Sequence, residues 1–272
     1  MGTLFLVATP IGNLADMSPR AVSTLRAAAL IAAEDTRRTG KLMGHFGIQG
    51  RIVSYHDHNE EKMVANLLEA LAYGDVALVS DAGTPGINDP GYPLVRAAIA
   101  AGHLVSPVPG PSAPIAALAA SGLPADTFLY LGYLPRKKAE RRTTIAANAA
   151  QPHTLVFLET PHRLQDALAD LEDLLGNRRI AVARELTKLH EEFVRGTVSE
   201  VRDHFEANPP RGELTLVVGG AEKGGERWTE AELESEIRAG LAAGEPASAL
   251  ARSLAGASGW NRREIYDKIL KN

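Results

Sequence analysis

Val76 to Val79 is a short, unbroken apolar run, and the residues that follow it, Ser80-Asp81-Ala82-Gly83-Thr84-Pro85-Gly86-Ile87-Asn88-Asp89-Pro90-Gly91, specify the backbone at almost every position. A strand with no polar alternation is buried on both faces, which calls for a sheet covered by helices on each side. A plain connection needs one or two turn residues. This one carries three glycines, two prolines and two aspartates, and a helix is predicted after it from about Pro90 to Ala101. Open α/β sheets place their ligands at such carboxyl strand ends. The segment therefore reads as a binding loop.

The same alternation runs along the chain. Strands are predicted at Leu4–Ala8, Leu30–Ala33, Ile52–Tyr55, Val76–Val79 and Leu104–Val108, and helices at Pro19–Ala29 (capped by Ser18) and Glu60–Ala72. Pro107-Val108-Pro109-Gly110-Pro111 marks a break, so a first α/β domain is placed over 1–110 and a second over 111–222. The second holds a helix from Ser112 to Ala120, a strand Phe128–Leu134, a helix Arg136–Ala149, a strand Leu155–Leu158 and a helix Pro161–Leu175. Strands Ile180–Ala183 and Phe193–Gly196, a helix Val198–Ala207 and a strand Leu214–Val218 complete it. Ala221–Gly225 reads as a linker to a helical module over 223–272, with helices near Ala231–Ala243, Ala247–Ala255 and Asn261–Leu270 and a turn at Gly256-Ala257-Ser258-Gly259. Such a module suggests helix-turn-helix or a capping bundle.

Composition excludes several classes. The chain has 272 residues and no cysteine, which removes disulfides, zinc-thiolate sites and cysteine nucleophiles. A net charge of −4 gives no global basic field, so any nucleic-acid contact must be local. No signal peptide or membrane span is legible, and a soluble cytoplasmic protein is expected. There is no phosphate-loop motif, no G-x-G-x-x-G after the first strand and no nucleophile elbow. His56 and His58 flank Asp57 without further ligands at recognisable spacing, so no metal is expected.

Polar residues gather instead at strand ends: Thr9-Pro10-Ile11-Gly12-Asn13, Glu34-Asp35-Thr36-Arg37-Arg38-Thr39, the Ser80–Gly91 loop, Pro109-Gly110-Pro111-Ser112-Ala113, and Glu159-Thr160-Pro161-His162-Arg163. Each alone is an ordinary turn or helix cap; together they converge on one cleft. In this order and spacing the blocks resemble the 2′-O-ribose cytidine methyltransferases of small-subunit ribosomal RNA, within the tetrapyrrole-methylase (class III) superfamily. The resemblance covers nearly the whole chain. It implies two α/β domains with S-adenosylmethionine held between them, a homodimer, and small-subunit rRNA, naked or within the assembled subunit, methylated at a decoding-region cytidine. Carried over by motif, the cofactor residues would be Gly83, Thr84, Pro85 and Ile87, then Ser112 and Ala113, then Phe157 and Leu158. Thr9 and Pro10 would border the substrate side, Pro10 also reaching the cofactor. The first loop lacks the glycine-rich pattern of the tetrapyrrole enzymes, which argues against a porphyrin acceptor.

A sulfonium donor is already electrophilic, so alignment supplies much of the catalysis. The ribose hydroxyl needs a base or strong acceptor. Glu34, Asp35 and Asp81 are candidates, with Glu159 behind them, and the sequence does not choose. Asp81 and Asp89 either brace the loop or serve the chemistry. Arg37, Arg38 and Arg163 are expected to hold phosphates, with a second basic block at Arg136, Lys137, Lys138, Arg141 and Arg142. Two rival readings remain: a methyltransferase acting on a tetrapyrrole or other small acceptor, and a non-catalytic RNA-binding protein that senses the cofactor.

Overall fold

The computed structural model describes residues 2–221 and 228–270. The first half is a five-stranded, all-parallel sheet of β1 (Thr3–Val7), β2 (Leu30–Ala33), β3 (Ile52–Ser54), β4 (Val76–Val79) and β5 (Leu104–Val108), in the order β3-β2-β4-β1-β5. Helices α1 (Pro19–Ala27) and α2 (Thr36–His45) cover one face, where Leu25 and Met43 pack on Ile31 and Val79. Helices α3 (Glu60–Tyr73) and α4 (Tyr92–Ala100) cover the other, where Leu67, Leu71 and Leu94 meet Leu4 and Leu78. This double cover explains why β2 and β4 are buried at every residue. From β1 the chain crosses to β2 over α1, and from β4 it crosses to β5 over α4, on the opposite face. The adjacent pair β1 and β4 is therefore the switch point of the sheet, where a crevice opens beyond the strand ends.

The second sheet is mixed: β6 (Phe128–Tyr133) runs parallel to β7 (Thr154–Glu159), while β10 (Leu214–Val218), β8 (Arg179–Arg184) and β9 (Glu192–Thr197) continue it antiparallel. One face packs on α6 (Lys138–Ala147), α7 (Leu164–Leu175) and α8 (Val198–Ala207) around Phe157, Leu168 and Phe205. The other packs on α5 (Ala113–Ser121), and Ile11 of the first half joins that cluster. The two halves thus share a hydrophobic seam next to the switch point.

Helices α9 (Glu230–Ala242), α10 (Ala247–Ser258) and α11 (Arg262–Ile269) close a separate small core of Leu233, Ile237, Leu250, Leu254, Ile265 and Ile269. Gly240 lets α9 and α10 touch: a Cβ there would lie 2.3 Å from Leu250 Cδ1. The expected linker falls outside the described residues, Ala221 apart.

Three expectations change. Glu34 to Thr39 is not only a strand-end loop, because α2 begins at Thr36 under an Asp35 cap. Two glycines, Gly40 and Gly44, weaken the helical pattern there. The helix expected from Pro161 opens as a 3₁₀ turn, Pro161–Arg163, before α7. The four-residue glycine turn shrinks to the left-handed Gly259 (φ +69°), since α10 runs on through Ser258. Among the described residues, no helix is long and apolar enough to cross a membrane.

Candidate active site

At the switch point, the first loop and the glycine loop are stitched together. Thr9 N–H donates to the Gly83 carbonyl at 2.8 Å and Gly83 N–H returns a bond to the Thr9 carbonyl at 3.0 Å. Thr9 Oγ1 adds a bond to the Ser80 carbonyl at 3.2 Å. The loop then turns at Gly83 and Gly86 (both φ +82°), at Asn88 (φ +61°) and at Gly91 (φ +153°). A non-glycine residue held left-handed, as Asn88 is, costs conformational energy that its surroundings must supply. Here Asn88 packs on Gly132 of β6, where a Cβ would lie 2.4 Å from Asn88 Nδ2. The two halves of the chain therefore grip each other through the glycine loop.

Between them lies a cleft of about 260 Å³. Its first-half wall is Glu34, Asp81, Gly83, Thr84, Ile87 and Asp89, and its second-half wall is Ser112, Ala113, Tyr130, Tyr133, Leu158 and Thr215. Of the expected cofactor residues, Gly83, Thr84, Ile87, Ser112, Ala113 and Leu158 come together here. Pro85 is buried beneath the loop rather than lining the cleft. Pro10 lines a second, adjoining cavity of about 300 Å³. The side chain of Phe157 points away, into the core under α7, because successive residues of a strand face opposite sides and Leu158 takes the cleft side.

The sequence missed Tyr130, Tyr133, Glu213, Leu214 and Thr215, which line the cleft from β6, from β10 and from the residue just before β10. Their strands carry no motif, and only the pairing of the second sheet brings their ends to the first. Burial raises the Tyr130 hydroxyl to about 12 and pushes Tyr133 upward, so both are neutral phenols at ordinary pH.

The carboxylates separate by their partners. Asp35 caps α2: Oδ1 accepts from Arg37 N–H at 2.8 Å, and the Arg37 guanidinium adds bonds at 3.1 and 2.8 Å. Those contacts hold Asp35 well below the usual carboxylate range, and it is outside the cleft lining. Glu34 Oε2 accepts the Asp81 N–H at 3.0 Å, and Asp81 Oδ1 accepts the Asp35 N–H at 3.0 Å. Arg38 Nη1 lies 3.1 Å from Asp81 Oδ2. These bonds brace the ends of β2 and β4. Burial pushes Glu34 upward, partly offset by the Asp81 amide and reinforced by the Asp81 and Asp57 charges. Burial raises Asp89 further, to about 7; a Ser80 hydrogen bond opposes this, and the charges of Glu34, Asp81 and Asp57 add to it.

The cationic residues divide too. Arg38 is 69% exposed and lines both cavities, while the 87%-exposed Arg37 folds back on Asp35. Arg136 lines a third cavity that shares Tyr133 with the cleft, and Lys137 and Lys138 are exposed beside it. Arg163 is a correction: Nη2 donates to the Leu134 and Pro135 carbonyls at 2.5 and 2.9 Å and lies 3.2 Å from Glu159 Oε2. It pins the end of β6 to that of β7 instead of presenting a free fork. Glu159 is wholly buried, and its Oε1 accepts the Thr160 N–H at 2.7 Å, so it too is structural. Arg141 and Arg142 pair with Asp170 at 2.7 and 2.8 Å, which removes both from the expected basic block. Among the described residues, no group of three or more metal-ligating side chains is assembled.

The cleft suits a cofactor that presents a carboxylate and an apolar ring. Ser112 is the N-cap of α5 and makes no side-chain cap bond, and Ser112, Ala113 and Pro114 line the cleft, so the positive end of α5 lies at the cleft with the Ser112 hydroxyl unused by the cap. Ile11, Leu158 and Leu214 offer the apolar walls.

A doubly wound parallel sheet joined at its switch point to a mixed sheet defines a class, and residues 3–202 match the family Tetrapyrrole (Corrin/Porphyrin) Methylases. The fold resembles that of diphthine synthase, with a TM-score of 0.62 at 15% identity over 80% of this chain and 90% of that one. It also resembles uroporphyrin-III C-methyltransferase from Thermus thermophilus complexed with S-adenyl homocysteine, with a TM-score of 0.53 at 22% identity over 80% and 97%. The chain belongs to this family of S-adenosylmethionine-dependent methyltransferases. Within it, ribosomal RNA small subunit methyltransferase I of Synechocystis sp. is 47% identical over 274 residues, covering 100% of this chain and 98% of that protein. The protein of the same name from Halalkalibacterium halodurans is 51% identical over 220 residues, covering 80% and 76%.

Proposed function

We propose that the chain transfers the methyl group of S-adenosylmethionine to the ribose 2′-hydroxyl of a cytidine in the decoding region of small-subunit rRNA. The names of its relatives support the rRNA substrate. The observation that carries the chemistry is the pairing, in one cleft, of a small-residue loop with a half-buried carboxyl raised to about 7. When bound, S-adenosylmethionine supplies an activated methyl group.

Gly83, Thr84 and Ile87 would form one side of its seat. Ser112, Ala113 and the α5 amides would take its carboxylate, and Leu158 and Leu214 its apolar surface. Glu34 Oε2 holds the Asp81 N–H, and both Asp81 oxygens are engaged, one by the Asp35 N–H and the other by Arg38. Asp89 has the capacity left to accept the hydroxyl proton. A proton acceptor near neutrality combines a large ionised fraction with useful basicity. Neutral Tyr130 and Tyr133 opposite it would orient the acceptor nucleotide by stacking or hydrogen bonding.

The same proposal covers association of two copies in the cytoplasm. Ile99 at the end of α4 and Leu104 at the start of β5, 62% and 74% exposed, support a self-contact. The test of function is tritiated methyl transfer to purified small subunits lacking the modification, followed by alkaline hydrolysis, which leaves a 2′-O-methylated linkage uncut. Label that appears on a base, or no label under saturating donor, would sink the assignment.

A further inference from the structure

Beside the cleft, on the other side of Asp81, lies the second cavity of about 300 Å³. One wall is the first loop, Thr9, Pro10, Gly12 and Leu14; the other is α2, with Arg38, Lys41 and His45. Positions 38, 41 and 45 fall within one narrow arc of a helix, because three- and four-residue steps return to the same face. All three side chains are exposed. Lys41 and His45 have no ion-pair partner among the described residues, whereas Arg37 and Arg163, both expected to hold phosphates, are tied back to the fold. The carboxylate in the wall is Asp81, and its charge is already met by Arg38 at 3.1 Å and by the Asp35 N–H at 3.0 Å. That contact uses one of the five N–H donors of the Arg38 guanidinium, so the fork keeps donors for a second anion.

We propose that this cavity is a phosphodiester subsite. Arg38, Lys41 and His45 hold a backbone phosphate of the acceptor strand there while its neighbouring ribose enters the cleft. Arg38 is the link, because it lines both spaces. The chemistry recognised is a polyanionic single strand, read by charge and reach and not by base edges. The inference rests on an RNA acceptor, and its test does not use methyl transfer.

The experiment is fluorescence anisotropy of a short labelled single-stranded RNA against the full chain, from 50 to 200 mM salt. Each phosphate contact to a single strand contributes a salt slope of about 0.7, or roughly 2.6-fold in affinity over that range. With the hold on that one phosphate lost, K41A/H45A is expected to have the shallower slope, and wild type to lose about 2.6-fold more affinity than the variant across the range. The variant K62A/R96A removes two exposed cations from α3 and α4, away from the cavity, and is expected to follow wild type. Binding of S-adenosylmethionine by K41A/H45A, measured by calorimetry, is expected to match wild type and reports that it is folded. Equal salt slopes for wild type and K41A/H45A would overturn the subsite. So would an equal loss of slope in K62A/R96A, which would mean a diffuse field. Failure of methyl transfer by wild type, with these slopes as expected, would instead overturn the proposed reaction and leave the subsite standing.

Discussion

Asp89 gives the sharpest test of the cleft's electrostatics. Burial raises its carboxyl from the ordinary 3.8 to about 7, with Glu34, Asp81 and Asp57 pushing the same way and a Ser80 hydrogen bond pushing back. A folded-state pKa above the unfolded value means that, between about pH 4 and 7, the native protein holds a proton the unfolded chain has released. Stability therefore falls as pH rises through that window and levels off above 7. A rise of this size corresponds to about 4 kcal/mol in a dry site, at about 1.36 kcal/mol per decade of proton affinity. Asp89 is only half-buried on an open cleft wall, so solvent screening reduces the whole effect to roughly 1–2 kcal/mol. Of that, about 1 kcal/mol falls between pH 5 and 8. Asp89→Asn cannot ionise. The melting temperature of D89N minus that of wild type should grow between pH 5 and pH 8 by roughly 2–4 °C, read by circular dichroism. A gap that stays constant with pH would refute the account of a desolvated, protonated Asp89. In the methyl-transfer assay, wild type should gain rate as pH rises toward 7 and flatten above it. D89N should lack that limb and run about 10²–10⁴-fold slower.

Three further outcomes follow from the geometry. Gly132→Ala puts a Cβ against Asn88 at a left-handed position (φ +65°), so urea unfolding should show a loss of roughly 1–2 kcal/mol and calorimetry a weaker S-adenosylmethionine affinity; unchanged values would mean that this contact does not hold the glycine loop. Arg141→Ala frees one oxygen of Asp170, whose side chain is 5% exposed, while Arg142 keeps the other, so denaturant titration should show a loss of about 1–3 kcal/mol, against nearly nothing if the pair is dispensable. Light scattering should give wild type twice the 29.0 kDa chain mass, and I99E/L104E that mass alone; a monomeric wild type would remove the self-contact.

What could be read from the sequence follows from how locally each feature is determined. β2, β4 and β10 have the expected ends because near-continuous apolar runs between turn residues leave one register, and α8 because Thr197 and Glu200 form a capping box at its start. The glycine loop was legible for the same reason: positive-φ positions need glycine, and a cluster of them at a strand end is uncommon in a plain turn. Helix α2 was not legible, since two glycines and a short apolar stripe give it little intrinsic preference, and Thr39 and Met43 stabilise it only by docking on the sheet. Tyr130, Tyr133 and Thr215 were invisible because they reach the cleft through long-range pairing. The basic residues misled for a physical reason. A sequence shows where a cation is, but not whether its guanidinium is already held by the fold, as those of Arg141 and Arg163 are.

The carboxylates make the same point about chemistry. Glu34, Asp35 and Asp81 were equal candidates in the sequence, since each ends a strand beside the glycine loop. A carboxylate that must accept a proton needs a free lone pair facing the substrate and a pKa near the working pH. Asp35 fails both conditions, because the cap of α2 and Arg37 occupy it and lower its pKa. Asp81 has one oxygen on the Asp35 amide and the other on Arg38. Glu34 is raised by burial, but it holds the Asp81 amide and would break the brace if it were protonated there. Asp89 satisfies both conditions: burial raises its proton affinity, and the charges of Glu34, Asp81 and Asp57 add to that rise. On this reading the motif residues at the strand ends build the field, and the residue that uses it lies at the far end of the loop, beyond the strained Asn88 that aims it.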